Sequence, residues 1–173
     1  MFKKMNRVLL LALFISITAR SQSRPNILII VSDDHAYQSI GAYGSPYHGT
    51  PNIDRLASQG ATYTNAFVTN SLCGPSRACL LTGKYSNING FKDNFSRFDA
   101  SQPTFASYLT QAGYQTAWIG KWHLESLPQH FDYFKILPGQ GYYYNPDFID
   151  MNNDTASIPG YCTNVITDLT LNW

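Results

Sequence analysis

The sequence predicts an α/β fold with a mainly parallel sheet flanked by helices, incomplete at the C-terminus. Three observations carry that prediction. Asn26–Val31 (NILIIV) is a continuous apolar run without alternation, the pattern of a strand buried on both faces of a parallel sheet. Strand-like and helix-like segments then alternate, which favours helices packed on a parallel sheet. The last helical pattern, Asn164–Trp173, ends without a C-cap signal, and its apolar residues Val165, Ile166, Leu169 and Trp173 want a partner the chain barely supplies. The sequence therefore reads as truncated.

At the N-terminus, Lys3, Lys4 and Arg7 precede an apolar run from Val8 to Ala19, and polar residues Arg20–Ser23 succeed it. A basic head, a short apolar stretch and a small-residue exit describe a secretory signal peptide over residues 1–23, implying a periplasmic or secreted protein. The run is short for a permanent membrane anchor. An uncleaved anchor or a buried helix is the alternative. Without a cysteine near the exit, nothing suggests a lipid anchor.

Asn26–Val31 is the first strand, ending in Ser32-Asp33-Asp34-His35 where the chain leaves the sheet. Thr50-Pro51-Asn52 starts a helix that Gly60 stops, and Ala61–Thr69 alternates loosely as a short strand. Pro75 suits the first turn of a helix ending at Gly83. Thr104–Gln111 is an amphipathic helix stopped by Gly113, and Gln115–Ile119 a strand running into Gly120-Lys121-Trp122-His123. Turn residues and aromatics dominate Leu127–Pro159, which reads as loops. At 173 residues the chain holds one core and not two comfortable domains.

Charge excludes one class of function. The formal net charge is +1, but four of the 12 basic residues and none of the 11 acidic ones lie in the first 23 residues, leaving 8 against 11, a net of −3. A nucleic-acid binder usually shows the opposite. Cys73, Cys79 and Cys162 are an odd count for an exported chain, so at least one sulfur has no disulfide partner within it.

The most informative segment is Cys73-Gly74-Pro75-Ser76-Arg77, with Leu80-Leu81-Thr82-Gly83 just beyond it. If Pro75 opens the helix, Cys73 sits at its N-terminal mouth, where free N–H groups and the dipole favour an anion. Arg77 lies one turn on and matches oxyanion geometry. Taken alone, the segment reads equally well as a structural cysteine beside a solvated arginine. Asp33-Asp34 comes directly after the first strand, where ligands collect in α/β sheets. Two adjacent carboxylates repel unless a cation neutralises them; a solvated pair capping the next helix is the alternative. Lys121 and His123, two apart, share a side if the segment is extended; an exposed lysine and a capping histidine are the alternative. His35 reads as a substrate contact or an ordinary polar residue, His48 and His130 carry no role, and Cys79 suits the helix's inner face.

From about Arg24 onward the chain resembles the sulfatase family. The C-x-P-S-R segment is that family's signature. Pro25-Asn26-Ile27-Leu28 leading to Asp33-Asp34, Thr50–Ala57 (TPNIDRLA) and Gly120–His123 (GKWH) match it in order. Membership would imply an alkaline-phosphatase-like fold and hydrolysis of sulfate esters. It implies that a sulfatase-maturing enzyme oxidises Cys73 to formylglycine, whose hydrate attacks sulfur with one oxygen and expels sulfate with the other. Asp33 and Asp34 would bind calcium, or less readily magnesium, together with the formylglycine oxygen at position 73. Lys121 would hold a sulfate oxygen and His123 would contact the formylglycine hydroxyl.

Phe131–Pro146 looks like the stretch found in sulfatases of glycosaminoglycan and mucin sugars, N-acetylglucosamine-6-sulfatases above all, which implies a sulfated sugar as substrate. Its tyrosines stack on sugar or simply pack. The family's second metal pair, another lysine and a leaving-group histidine have no matching segment here, so the 173 residues alone are expected to turn over little or nothing. A phosphoester or phosphonate monoester hydrolase of the same superfamily, and a non-catalytic remnant, are the competing readings.

Overall fold

The computed structural model describes residues 24–173. The expected signal peptide lies outside them, and among the described residues no helix is long and apolar enough to cross a membrane. The chain divides into two compact units, one ending at Tyr63 and one spanning Thr64–Trp173.

In the first unit the expected strand Asn26–Val31 does not form. Ile27, Leu28, Ile29, Ile30 and Val31 are 53–76% exposed. An apolar strand of this kind needs neighbours on both edges and cover on both faces, and no strand of its own unit stands beside it. Ala61–Thr69 also forms no strand. Helix α1, Pro51–Gln59, begins at its proline, whose missing N–H has no intrahelical acceptor anyway. Asp54 then ties that helix to the turn before it. Its Oδ1 accepts from the Ala42 N–H at 2.7 Å and the Thr50 hydroxyl at 2.8 Å, and the Gly41 N–H donates to Thr50 Oγ1 at 2.8 Å. A Cβ at position 41 would press on the Asp54 carboxylate, which would have to shift out of these bonds.

The second unit holds helices α2 (Cys73–Thr82), α3 (Ser86–Asn89), α4 (Phe105–Gln111) and α5 (Cys162–Asn172), with strands β1 (Ala117–Lys121), β2 (Tyr133–Leu137), β3 (Asp147–Asp150) and β4 (Thr155–Ser157). Gly83 closes α2 in the left-handed conformation, φ 66°. Thr104 and Ser107 cap α4 reciprocally. The sheet order is β1-β2-β3-β4. β1 and β2 run parallel, Ala117 opposite Tyr133 and Lys121 opposite Leu137, while β2–β3 and β3–β4 are antiparallel. The α/β class holds, but the described sheet is mixed, because three strands arise inside Leu127–Pro159, the stretch expected to be loops. A nine-residue connection, 138–146, reverses the chain between β2 and β3, and a four-residue turn, 151–154, between β3 and β4. The first strand of the sheet starts two residues later than expected because Asp132 Oδ2 takes the Thr116 N–H at 2.7 Å, removing it from the ladder.

Side-chain alternation sends Phe134 and Ile136 to one face, where they meet Ala78, Leu81, Phe91, Phe98, Ala106 and Leu124. Leu137 joins Phe148 and Val165 on the other, with Ile166 and Leu169 of α5. The expected apolar face of α5 thus finds a partner, although Trp173 stays exposed. The connection over 122–132 contains no helix. In its place Trp118, Trp122 and Phe131 pack edge to face, with centroids 5.1–6.2 Å apart, and cover this end of the sheet.

Candidate functional site

Cys73 is the first residue of α2 and is half-buried. Pro75 is therefore third in the helix, not its opener, a position that also lacks an intrahelical acceptor. The N–H groups at this tip are less available than the sequence suggested. The Leu72 N–H donates to Asn70 Oδ1 at 3.0 Å, the Gly74 N–H donates to Asn94 Oδ1 at 2.9 Å, and Pro75 has none. Any anion held here depends mainly on side-chain cations, with the helix dipole as a lesser aid.

Gly74 explains how this tip meets a segment far along the chain. A Cβ there would stand 2.7 Å from Phe91 Cε1 and 2.8 Å from the His123 carbonyl oxygen. Only glycine allows so close an approach. One turn along α2, Arg77 Nη1 donates to the Lys121 carbonyl at 2.7 Å, and Trp118 Nε1 donates to the same oxygen at 3.1 Å. The C-x-P-S-R helix and Gly120–His123 therefore lie against each other within one unit.

Lys121 ends β1, and its Nζ donates to Gln140 Oε1 at 2.6 Å. Trp122 is buried and anchors the segment. The backbone at His123 is left-handed, φ 53°, so the extended geometry expected to align it with Lys121 does not hold. Gly120 sits under α5, its absent Cβ 3.3 Å from Ile166 Cδ1, which fixes this end of the strand from the other face.

Asp33 and Asp34 belong to the first unit. Both are exposed on a turn, and Asp34 has φ 55°. Their carboxylates are oxygen donors of the kind a hard cation takes, and two residues supply part of the roughly six to eight oxygens calcium uses. Among the described residues, no three histidine, cysteine or acidic side chains stand close enough together to hold a metal. His35 Nδ1 lies 3.2 Å from the Ser32 hydroxyl, an ordinary local contact.

The other cysteines sit elsewhere. No cysteine forms a disulfide. Cys79 has polar neighbours rather than the apolar surroundings of a core residue, with Ser86 Oγ at 3.4 Å and Asn89 Nδ2 at 3.7 Å. Burial pushes the Cys162 thiol above its ordinary range. Of the Phe131–Pro146 tyrosines, Tyr142, Tyr143 and Tyr144 are exposed and Tyr133 is half-buried in β2. Gln140, Asn94 and Trp118 contact this site without carrying any motif. Only Gln140 had a signal, its place in a Pro-Gly-Gln-Gly turn.

The chain is also similar to known proteins. The chain is 50% identical over 153 residues to the N-acetylglucosamine-6-O-sulfatase of Bacteroides thetaiotaomicron, covering 87% of this chain and 27% of that protein. It is 39% identical to rat arylsulfatase G over 145 residues, 80% of this chain and 26% of the relative. The chain thus spans about a quarter of the length of the curated relatives it matches. A solved structure holding its substrate D-glucosamine-2-N,6-O-disulfate superposes with a TM-score of 0.84 at 50% identity, over 87% of this chain and 31% of that one. Its fold, like that of the other sulfatase neighbours, is alkaline-phosphatase-like. The sulfatase family profile matches residues 25–173, nearly everything the structure describes, and the chain belongs to that family.

Proposed function

We propose that the protein hydrolyses sulfate esters on glycosaminoglycan-type glycans outside the cytoplasm, with 6-sulfated N-acetylglucosamine as its substrate class. The observation that carries this reading is the packing of the Cys73–Arg77 helix tip against Lys121–His123 within one unit. The 50% identity to an N-acetylglucosamine-6-O-sulfatase supports the choice of sugar.

In this reading a sulfatase-maturing enzyme converts Cys73 to formylglycine, whose hydrate supplies the nucleophile. Asp33 and Asp34 hold calcium, which when bound acidifies the oxygen it touches. Arg77 fixes the Lys121 backbone with one N–H, and its other donors suit a sulfate oxygen. Lys121 places its ammonium on the ester's sulfate, and His123 takes up the hydroxyl proton as sulfate leaves. The family's second metal pair, further lysine and leaving-group histidine have no match in these 173 residues, so this stretch alone turns over little or no ester.

The test is turnover of paired aryl sulfate and aryl phosphate esters, and of N-acetylglucosamine 6-sulfate, by the protein expressed from its natural reading frame with a maturing enzyme. Sulfate release that a chelator abolishes and calcium restores supports the proposal. A clear phosphate preference favours a phosphoester or phosphonate hydrolase. Binding of sulfated glycans without turnover favours a non-catalytic protein.

A further inference from the structure

We infer that Gln140 is a positioning residue that holds the Lys121 ammonium in place for a sulfate group, an inference resting on the proposed role of Lys121. Strand register brings the two residues together. β1 and β2 are parallel and end level, Lys121 opposite Leu137. The residues after Leu137 therefore emerge beside Lys121 at the C-terminal edge, where ligands of α/β sheets collect.

Those residues are Pro138-Gly139-Gln140-Gly141, a turn closed by the Gly141 N–H donating to the Pro138 carbonyl at 3.0 Å. Both glycines are left-handed, Gly139 at φ 52° and Gly141 at φ 73°, and a Cβ at 141 would stand 2.8 Å from Leu137 Cδ1. Side-chain-bearing residues are strained at both positions, and glycine takes them without steric cost. The turn sets the Gln140 amide oxygen 2.6 Å from Lys121 Nζ.

Lysine is a point charge on a flexible stem and loses rotamer freedom when it binds. A neutral acceptor at hydrogen-bond distance removes part of that freedom beforehand without cancelling the charge. The Lys121 backbone is already held by Arg77 and Trp118; Gln140 holds the other end of the residue.

A double-mutant cycle on the matured protein tests this, with inorganic sulfate as the probe by calorimetry. Gln140→Met keeps the length and removes the acceptor. It is expected to weaken sulfate by about threefold to tenfold in the wild-type background, and by less than about 1.5-fold when Lys121 is already Met. KM for the ester should rise by the same factor with kcat within about twofold, since the contact serves ground and transition states alike. The Lys121 Cε relaxation should report a more mobile methylene in Gln140→Met. An equal loss in both backgrounds, or no loss in the wild type, overturns the inference. If Lys121→Met leaves sulfate affinity unchanged, the reading of Lys121 itself fails, and the positioning role fails with it.

Discussion

Residues 24–63 and residues 64–173 are held together by different means. In the first region no described residue is buried, and order comes from side-chain-to-backbone bonds around Asp54 and Thr50. In the second, two apolar clusters grip a four-stranded sheet from both faces. The proposed cationic and nucleophilic residues stand on the packed scaffold, while the acidic pair stands on an exposed turn. Rigid elements hold a constellation more narrowly than turns do. Arg77 and Lys121 therefore derive their placement from packing, whereas Asp33 and Asp34 lie on a turn with no buried residue in its own region.

The largest effect should come from that acidic turn. In the natural-frame protein, Asp34→Asn is expected to lower kcat/KM for a sulfate ester by roughly a hundredfold or more and to raise the calcium needed for half-maximal rate. An unchanged calcium requirement would remove the first region from the chemistry. Next comes stability. Urea unfolding of the 173-residue chain should show Phe91→Ala costing about 3–5 kcal/mol, since Phe91 is fully enclosed. Ile30→Ala should stay within about 0.5 kcal/mol. A large cost at Ile30 would mean the apolar run is covered after all. Gly74→Ala drives a methyl into Phe91 and the His123 carbonyl, and should cost about 1–3 kcal/mol. The smallest effect concerns Cys162. Burial disfavours its thiolate, so its alkylation rate should rise with a midpoint above the ordinary thiol range. A midpoint at or below that range would contradict its packing against Val165 and Leu137.

Local signals were legible in the sequence wherever one residue decides the geometry. Gly83 at the end of α2 and Pro51 at the start of α1 stand where spacing placed them, while Thr104, read as the first residue of its helix, is the cap before it. The strands were not. β2, β3 and β4 are three to five residues long, and the Pro, Gly and Asn residues of the connections between them mask the alternation. Asn26–Val31 misled for the opposite reason: its composition says strand, but a strand needs partners that composition does not reveal. At the candidate site the motif residues Cys73, Arg77, Lys121 and His123 were visible by type and order. Their contacts were not, because Arg77 binds a backbone carbonyl 44 residues away, and no side-chain pattern encodes a carbonyl. The supply of N–H groups at the α2 tip was overestimated because Asn70 and Asn94, which take two of them, carry no motif.

The proposed chemistry turns on the sulfur of Cys73 being replaced by an aldehyde. Mass analysis of the peptide containing residue 73, after expression with a sulfatase-maturing enzyme, tests this directly. Conversion lowers the mass by about 18 Da relative to the thiol, and that is the expected result. A peptide that keeps its cysteine and alkylates as an ordinary thiol would contradict the account.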